Sequence, residues 1–398
     1  MKSRAFNPSK SAMIQIDFYD KDIVSTLLPI STTRPDKVVF LIDRRTANGK
    51  GQDNVEIAIK DMLPESKVEF VPVTIDDFND IYNVLKDIAE SIEDTDDACI
   101  DLTGGTELMS ACGYRIAKEY DILPIYVDVR RENVINAENG EIISPVRHIT
   151  LEQCLKAIGA KRLSDSHDLP AREEFNAILT VCEIMFKYIN DWSRLCQHIS
   201  NQVATSGNRM KVKIPENVGR TKKGTMAIIQ GFLDNGFLER ESGVGIEGEY
   251  RFTSTKARSY ITTYGTWLEL YIYIKALDVF DEAELGVVVD WYEGDNIDTQ
   301  DNEIDVVVMR RSIPIFISCK MRKPVSGDLY EVGFVASRLG GTRTKALLAT
   351  TYPVKEMGVS PKRMYQRMKK LRVGLIEAEN FSKLPAADVF NQAIQMTE

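Results

Sequence analysis

Glu303, Asp305, Ser318 and Lys320 are the residues whose types and spacing best suit chemistry. Residues 302–308 and 314–320 read as two short β-strands, with Arg310, Arg311 and Ser312 at the tip of a hairpin. Side chains alternate along a strand, so Glu303 and Asp305 share one face of the first and Ser318 and Lys320 one face of the second. A turn centred on Arg311 and Ser312 sets Asp305 opposite Ser318 and Glu303 opposite Lys320. Two carboxylates, a hydroxyl and an ammonium then converge on one patch. Carboxylate oxygens suit hard divalent cations, which polarise a phosphate and acidify a bound water. A nearby lysine orients that water or offsets developing charge. Phosphodiester hydrolysis is the chemistry this group suits; the competing reading is a half-exposed hairpin with solvated charges.

A second cluster lies nearer the N-terminus. Asp101, Leu102, Thr103, Gly104, Gly105, Thr106 and Glu107 join a strand to a helix. The glycines let the backbone turn tightly and approach a ligand, and the helix start offers free N–H groups to a phosphate. The loop is neither GxGxxG nor a Walker sequence, which disfavours a dinucleotide-dependent enzyme. A plain strand-to-helix turn is the competing reading.

Five strands, at 13–18, 37–42, 67–73, 98–102 and 122–127, alternate with helical patterns at 22–30, 53–62, 76–92 and 106–120. Phe78, Ile81, Leu85, Ile88 and Ile92 give the third helix its apolar stripe. Such alternation implies right-handed βαβ units and a parallel, Rossmann-like sheet with ligands beyond its carboxyl ends. Residues 171–192 read as one helix, 224–238 as another, and 249–255 as part of a wing-like hairpin. Lys211, Lys213, Arg220, Lys222 and Lys223 cluster nearby. A helix over 265–274 buries Trp267, Tyr271 and Ile274, with Glu269 off that face. Short strands follow at 287–289 and 346–350, with an acidic loop over 293–301 between the first of these and the hairpin. Glu331, on a helix starting near Asp328, is placed to hold Lys320. Arg338, Arg343 and Lys345 are placed to meet a phosphate backbone. The basic run from Lys362 to Arg372 reads as a solvated helix face.

With 398 residues, 43% hydrophobic and 27% charged, the chain has room for two or three globular domains. A net charge of −9 leaves nucleic-acid contact to local clusters. No apolar run approaches the roughly 18–20 residues of a membrane span, and residues 1–10 lack a signal-peptide core. Six scattered cysteines without CxxC suggest buried thiols and a cytoplasmic setting, and three histidines make a zinc site improbable.

DLTGGTELMSACGYRIAKEYDILPIYVDV, over 101–129, resembles the signature of CRISPR-associated Rossmann-fold (CARF) sensor domains. NEIDVVV and FISCK resemble the PD-(D/E)xK nuclease core, with Asp305 as its first acid and Ser318 where that motif usually carries another. Together they make the chain similar, over about 11–150 and 263–375, to the CARF-nuclease family of CRISPR ancillary effectors. The expected fold is α/β: a Rossmann-like CARF domain over 1–150, a helical, winged-helix-like linker over 151–262, and a restriction-endonuclease-like domain over 263–398.

The resemblance implies a homodimer whose CARF domains share one pocket for a cyclic oligoadenylate, tetra-adenylate first and hexa-adenylate second. Thr103, Gly104, Gly105, Thr106, Glu107 and Phe18 would line it. Glu107 stands where the family often has lysine, so Arg44 and Arg45, or Arg130 and Arg131, would supply the charge. In the nuclease, Glu269, Glu303, Asp305 and the Cys319 carbonyl would hold Mn or Mg, with Lys320 attending the water. Ser318 either weakens activity or is compensated by Glu303 and Glu269. The expected function is a metal-dependent nuclease of type III CRISPR defence, acting on DNA, RNA or both once the ring binds. The alternative is a ligand-responsive DNA-binding regulator with a silent nuclease core. IIQGFLDNGFLERE is similar to winged-helix sequences, although a structural linker is preferred to a DNA reader. The Arg162 to His167 spacing matches HEPN ribonucleases but lies in a helix-poor stretch and is read as coincidence.

Overall fold

The structure, a computed structural model, describes residues 12–47, 49–165, 169–206, 209–291, 301–338, 343–353, 355 and 360–397. His167, most of the acidic loop and the glycine pair at 340–341 lie outside them. Strands β1 (Met13–Phe18), β2 (Lys37–Asp43), β3 (Lys67–Val73), β4 (Asp97–Asp101) and β5 (Leu123–Asp128) form a parallel sheet in the order β3-β2-β1-β4-β5. The apolar run of β2, buried from Val38 to Ile42, is what a strand covered on both faces requires. β6 (Asn133–Asn136) and β7 (Ile142–Pro145) extend the sheet antiparallel, an addition the sequence pattern did not announce.

Helices α1 (Ile23–Thr33) and α2 (Lys50–Met62) cover one face, and α3 (Phe78–Glu90) and α4 (Glu107–Glu119) the other. Asp22, Asp77 and Thr106 cap α1, α3 and α4 by accepting amides of the first turn. Strand order reverses between β1 and β4, which opens a crevice at their carboxyl ends.

Next come α5 (Leu151–Ala157) and β8 (Ala160–Asp165), the latter pairing with a strand of the C-terminal sheet. The single helix expected over 171–192 is two, α6 (Phe175–Lys187) and α7 (Ile189–Thr205), broken at Tyr188. β9 (Lys211–Ile214), α8 (Lys222–Asp234), β10 (Leu238–Val244) and β11 (Glu247–Phe252) complete a winged-helix-like unit with strand order β10-β11-β9, and α9 (Thr255–Thr262) leads out of it. Trp192, Phe232 and Tyr260 pack with Trp267 at its centre.

The C-terminal unit contains α10 (Thr266–Leu277), β12 (Glu282–Trp291), β13 (Asp301–Arg310), β14 (Ile313–Lys320), α11 (Ser326–Arg338), β15 (Lys345–Thr350), α12 (Pro361–Leu371), β16 (Val373–Glu377) and α13 (Ala386–Gln395). Its sheet runs β16-β15-β14-β13-β12-β8, parallel from β14 to β16 and antiparallel from β14 to β8. α10 is buried on almost every side, Leu268, Leu270 and Ile272 included, rather than along one stripe. One hydrophobic core joins the two ends of the chain, from Leu27 and Ile59 to Phe316 and Leu348. Sensor and C-terminal unit are therefore packed together, not strung apart.

Candidate active site and sensor loop

At the hairpin tip Arg311 and Ser312 have φ of 52° and 65°. Two left-handed central residues make the tight turn whose twist matches the flanking strands. It fixes the register at Val306↔Ile317 and Met309↔Pro314. Continued along the strands, that register brings Asp305 to Ser318. Asp305 Oδ2 accepts the Cys319 amide at 2.6 Å and the Ser318 hydroxyl at 3.2 Å, and Lys320 Nζ lies 3.9 Å away. All these contacts converge on Oδ2.

Burial, then the nearby charge of Glu269, pushes the Asp305 carboxyl up to about 6, against the pull of Lys320 and its two hydrogen bonds. Glu269 occupies the first turn of α10, where the helix dipole favours a carboxylate. A Cβ on Gly265 would stand 3.1 Å from its Oε1, so the small residue leaves that carboxylate room. Glu303 is exposed and lines a small hollow with Asp305, Ser318, Lys320 and Glu331. Among the described residues no three side chains of metal-ligating type form a cluster. Two facing carboxylates still fit Mg or Mn, which commonly take one or two carboxylates and complete their shell with water. Ser318 is a hydrogen-bond donor to Asp305, which orients the acid instead of adding charge.

In the sensor, Gly105 has φ of 78°, its amide donates to Asp20 Oδ2 at 3.2 Å, and a Cβ there would sit 2.6 Å from that of Phe18. The Thr103 hydroxyl donates to Asp101 at 2.6 Å and accepts the Val127 amide at 2.8 Å, so it staples β4 to β5. Gly104 is buried against the Phe18 carbonyl, and Glu107 is exposed in the first turn of α4. Phe18, placed with the ligand residues on sequence grounds, is fully buried beneath Gly105 and Gly113. Its ring supports the loop from below and presents nothing to a ligand. Arg44 and Arg45 sit on the same rim but turn to Asp80 and Asp43. Arg338 stacks on Phe334, Arg343 reaches across to Asp22 at 2.9 Å, and Lys345 lies at the opposite end of the sheet from Lys320.

The sequence reading missed Asp17, which lies with Asp101 beneath this loop. Asp17 and Asp101 end neighbouring strands, and Asp101 Oδ2 is buried with no hydrogen-bond partner among the described residues. Burial first, and for Asp17 then the charge of Asp101, holds Asp17 well above the carboxylate range; burial holds Asp101 at about 7. The one signal was DFYDKD, three acids in six residues after an apolar strand.

The Card1 CARF domain family matches residues 24–153, and the Card1-like endonuclease domain family matches 255–386. No protein of curated function matches the chain by sequence. Among solved structures, protein VC1899 from Vibrio cholerae is 16% identical, with a TM-score of 0.77 over 97% of this chain and 98% of that one. Can2 from Sulfobacillus thermosulfidooxidans, in complex with cyclic tetra-adenylate, is 18% identical, with a TM-score of 0.68 over 97% and 99%. A type III CRISPR defence DNA nuclease activated by cyclic oligoadenylate is 11% identical, with a TM-score of 0.53 over 93% of this chain and 53% of that one. At these identities the likeness is one of fold, and it runs through both ends of the chain.

Proposed function

Since this chain belongs to the family that joins a CARF sensor domain to a Card1-like endonuclease domain, we propose that it is a metal-dependent nuclease switched on by a cyclic oligoadenylate in type III CRISPR defence. The observation that carries the reading is the carboxylate of Asp305, which faces Glu269 and Lys320 while the Cys319 amide and Ser318 hydroxyl fix its orientation. Asp305 and Glu269, with Glu303 and the Cys319 carbonyl, would hold Mg or Mn. That ion would supply Lewis acidity at the phosphate and an acidified water. Lys320 offsets charge that develops on the phosphate, and Ser318 keeps Asp305 turned so that Oδ1 stays clear of the bonds made at Oδ2.

In the sensor, the start of α4, just past the turn at Gly104 and Gly105, suits a phosphodiester of the ring. Two copies of the loop about a two-fold axis would enclose a symmetric ring, hence the homodimer. The cyclic tetra-adenylate in Can2 supports four adenylates over six. Among the described residues no helix is long and apolar enough to cross a membrane, and the six cysteines are free and buried, in keeping with a cytoplasmic setting.

The test incubates the chain with supercoiled plasmid, single-stranded DNA and single-stranded RNA. Each receives Mn or Mg, with and without cyclic tetra- or hexa-adenylate. Cleavage is expected to need both metal and ring and to vanish in Asp305→Ala. Ring binding without cleavage of any substrate overturns the nuclease reading and leaves the DNA-binding regulator. Against that regulator, Lys211 is paired with Glu241 and Lys222 with Glu216, so two of the five charges in the basic cluster of the winged-helix-like unit are answered from within.

A further inference from the structure

A cavity of about 510 Å³ opens where the sensor meets the tip end of the nuclease sheet. Its volume lies inside the roughly 300–1,000 Å³ usual for small-ligand pockets. Arg130, just past β5, Arg310 and Arg311, at the hairpin tip, and Lys345, opening β15, all line it. Four cations thus face one hollow in a chain of net charge −9. Arg311 is partly answered by Glu132, whose Oε2 lies 3.1 Å from its Nε. The Arg130 and Arg310 side chains have no ion-pair partner among the described residues. None of the described residues that line the hollow is acidic, and Glu132 reaches its charge only at Arg311. Like charges gathered in a concave, partly dry site raise the local concentration of anions.

The rest of the lining narrows the class of anion. Ile313 and Ile394 supply an apolar wall, and Asn391 and Gln395 place two amide groups on α13 beside it. A bare phosphate would use the cations alone. An aromatic base would use the apolar wall, with amides able to pair with its polar edge. The cavity is separate from both sites already described. No residue of the loop from Thr103 to Glu107 lines it, and β14 separates its Ile313 from Lys320 by seven residue steps, roughly 23 Å.

We propose that this seam cavity is a binding site for a nucleoside polyphosphate, its phosphates on Arg130, Arg310 and Lys345 and its base against Ile313 and Ile394. The site would couple to the nuclease through Arg311, which belongs at once to the cavity and to the turn of the catalytic hairpin.

Calorimetric titration of the full chain in metal-free buffer, with saturating cyclic tetra-adenylate present, tests it. ATP is the probe, and adenosine, tripolyphosphate and a short oligothymidylate are the comparisons. One ATP is expected per chain, bound at least tenfold more tightly than any comparison. Arg130→Ala combined with Arg310→Ala is expected to weaken ATP at least tenfold without moving the melting temperature. Photolabelling with 8-azido-ATP provides a second measurement, with label expected in peptides holding residues 129–130, 310–315 or 391–395. Absence of ATP binding at millimolar concentration overturns the proposal. So does tripolyphosphate or oligothymidylate binding as well as ATP, or label confined to peptides elsewhere. Stoichiometric displacement of ATP by the cyclic ring also overturns it, because the nucleotide then occupies the sensor loop.

Discussion

Ser312, at the turn of the hairpin that carries Asp305, accepts the backbone amide of Ile149 at 3.1 Å, and His148 Nδ1 lies 3.1 Å from the same hydroxyl oxygen. Beside it, Arg311 donates to the Arg130 carbonyl at 3.1 Å. The sensor domain therefore holds the hairpin of Asp305 by its tip through hydrogen bonds. Ser312 is almost fully buried, so losing the hydroxyl strands the Ile149 amide at a cost of about 1–3 kcal/mol. Ser312→Ala is expected to lower ring-stimulated cleavage several-fold while ring affinity stays at the wild-type value. Filter binding beside a cleavage assay separates the two. Equal stimulation in variant and wild type would show that the hairpin tip transmits nothing.

Asp305 gives a prediction that does not need activity. Its carboxyl titrates at about 6 in the folded chain, against 3.8 for an ordinary aspartate. The folded state thus holds a proton that the unfolded state has lost, and stability falls as pH rises through that window. Above it, the buried carboxylate destabilises the metal-free protein. Asp305→Asn is therefore expected to melt several degrees higher than wild type at pH 7.5 in a chelator, with the gain gone by pH 3.5. Mn should raise the wild-type melting temperature more at pH 7.5 than at pH 5, because the ion must displace a proton at the lower pH. A variant that melts with wild type at both pH values would mean that Asp305 is not strained by its setting.

How far the sequence reaches is clearest at these two sites. Asp305 opposite Ser318 was legible because a period of two and a two-residue turn leave one register open. Gly105 was legible because a positive φ next to a helix start calls for glycine. Phe18 was misplaced because an apolar residue at a strand end has the same pattern whether it faces a ligand or the underside of a loop. β8 went unread because its partner is β12, more than a hundred residues away, and nothing local records that pairing. The burial of α10 on every side came from packing between a sheet and the winged-helix-like unit, which no helical period reports.

Gly105 is the residue on which the sensor loop turns. With φ of 78° and Phe18 Cβ directly beneath it, alanine there would be strained and would clash. Gly105→Ala is expected to weaken cyclic tetra-adenylate at least tenfold by moving the amide now held by Asp20. Phe18→Leu keeps the Cβ that the new methyl would meet and leaves the positive φ in place, so the double variant is expected to recover none of that affinity. Unchanged ring affinity in Gly105→Ala would place the ring somewhere other than this loop.

The pair between Arg343 and Asp22 joins the nuclease to the sensor at the other end of their shared core. Asp22 caps α1 through Oδ1 and meets Arg343 through Oδ2, with side chains only 29% and 12% exposed for Arg343 and Asp22. Burial raises the Asp22 carboxyl even with the guanidinium beside it, so removing Arg343 leaves a poorly solvated charge behind. Arg343→Ala is expected to cost about 1–3 kcal/mol of stability in urea, short of the roughly 3–5 of a fully buried pair because the site is partly open to water. Asp22→Asn keeps the cap and removes the charge, so the double variant is expected to be more stable than Arg343→Ala alone. Additive losses in that cycle would show that the two side chains do not interact.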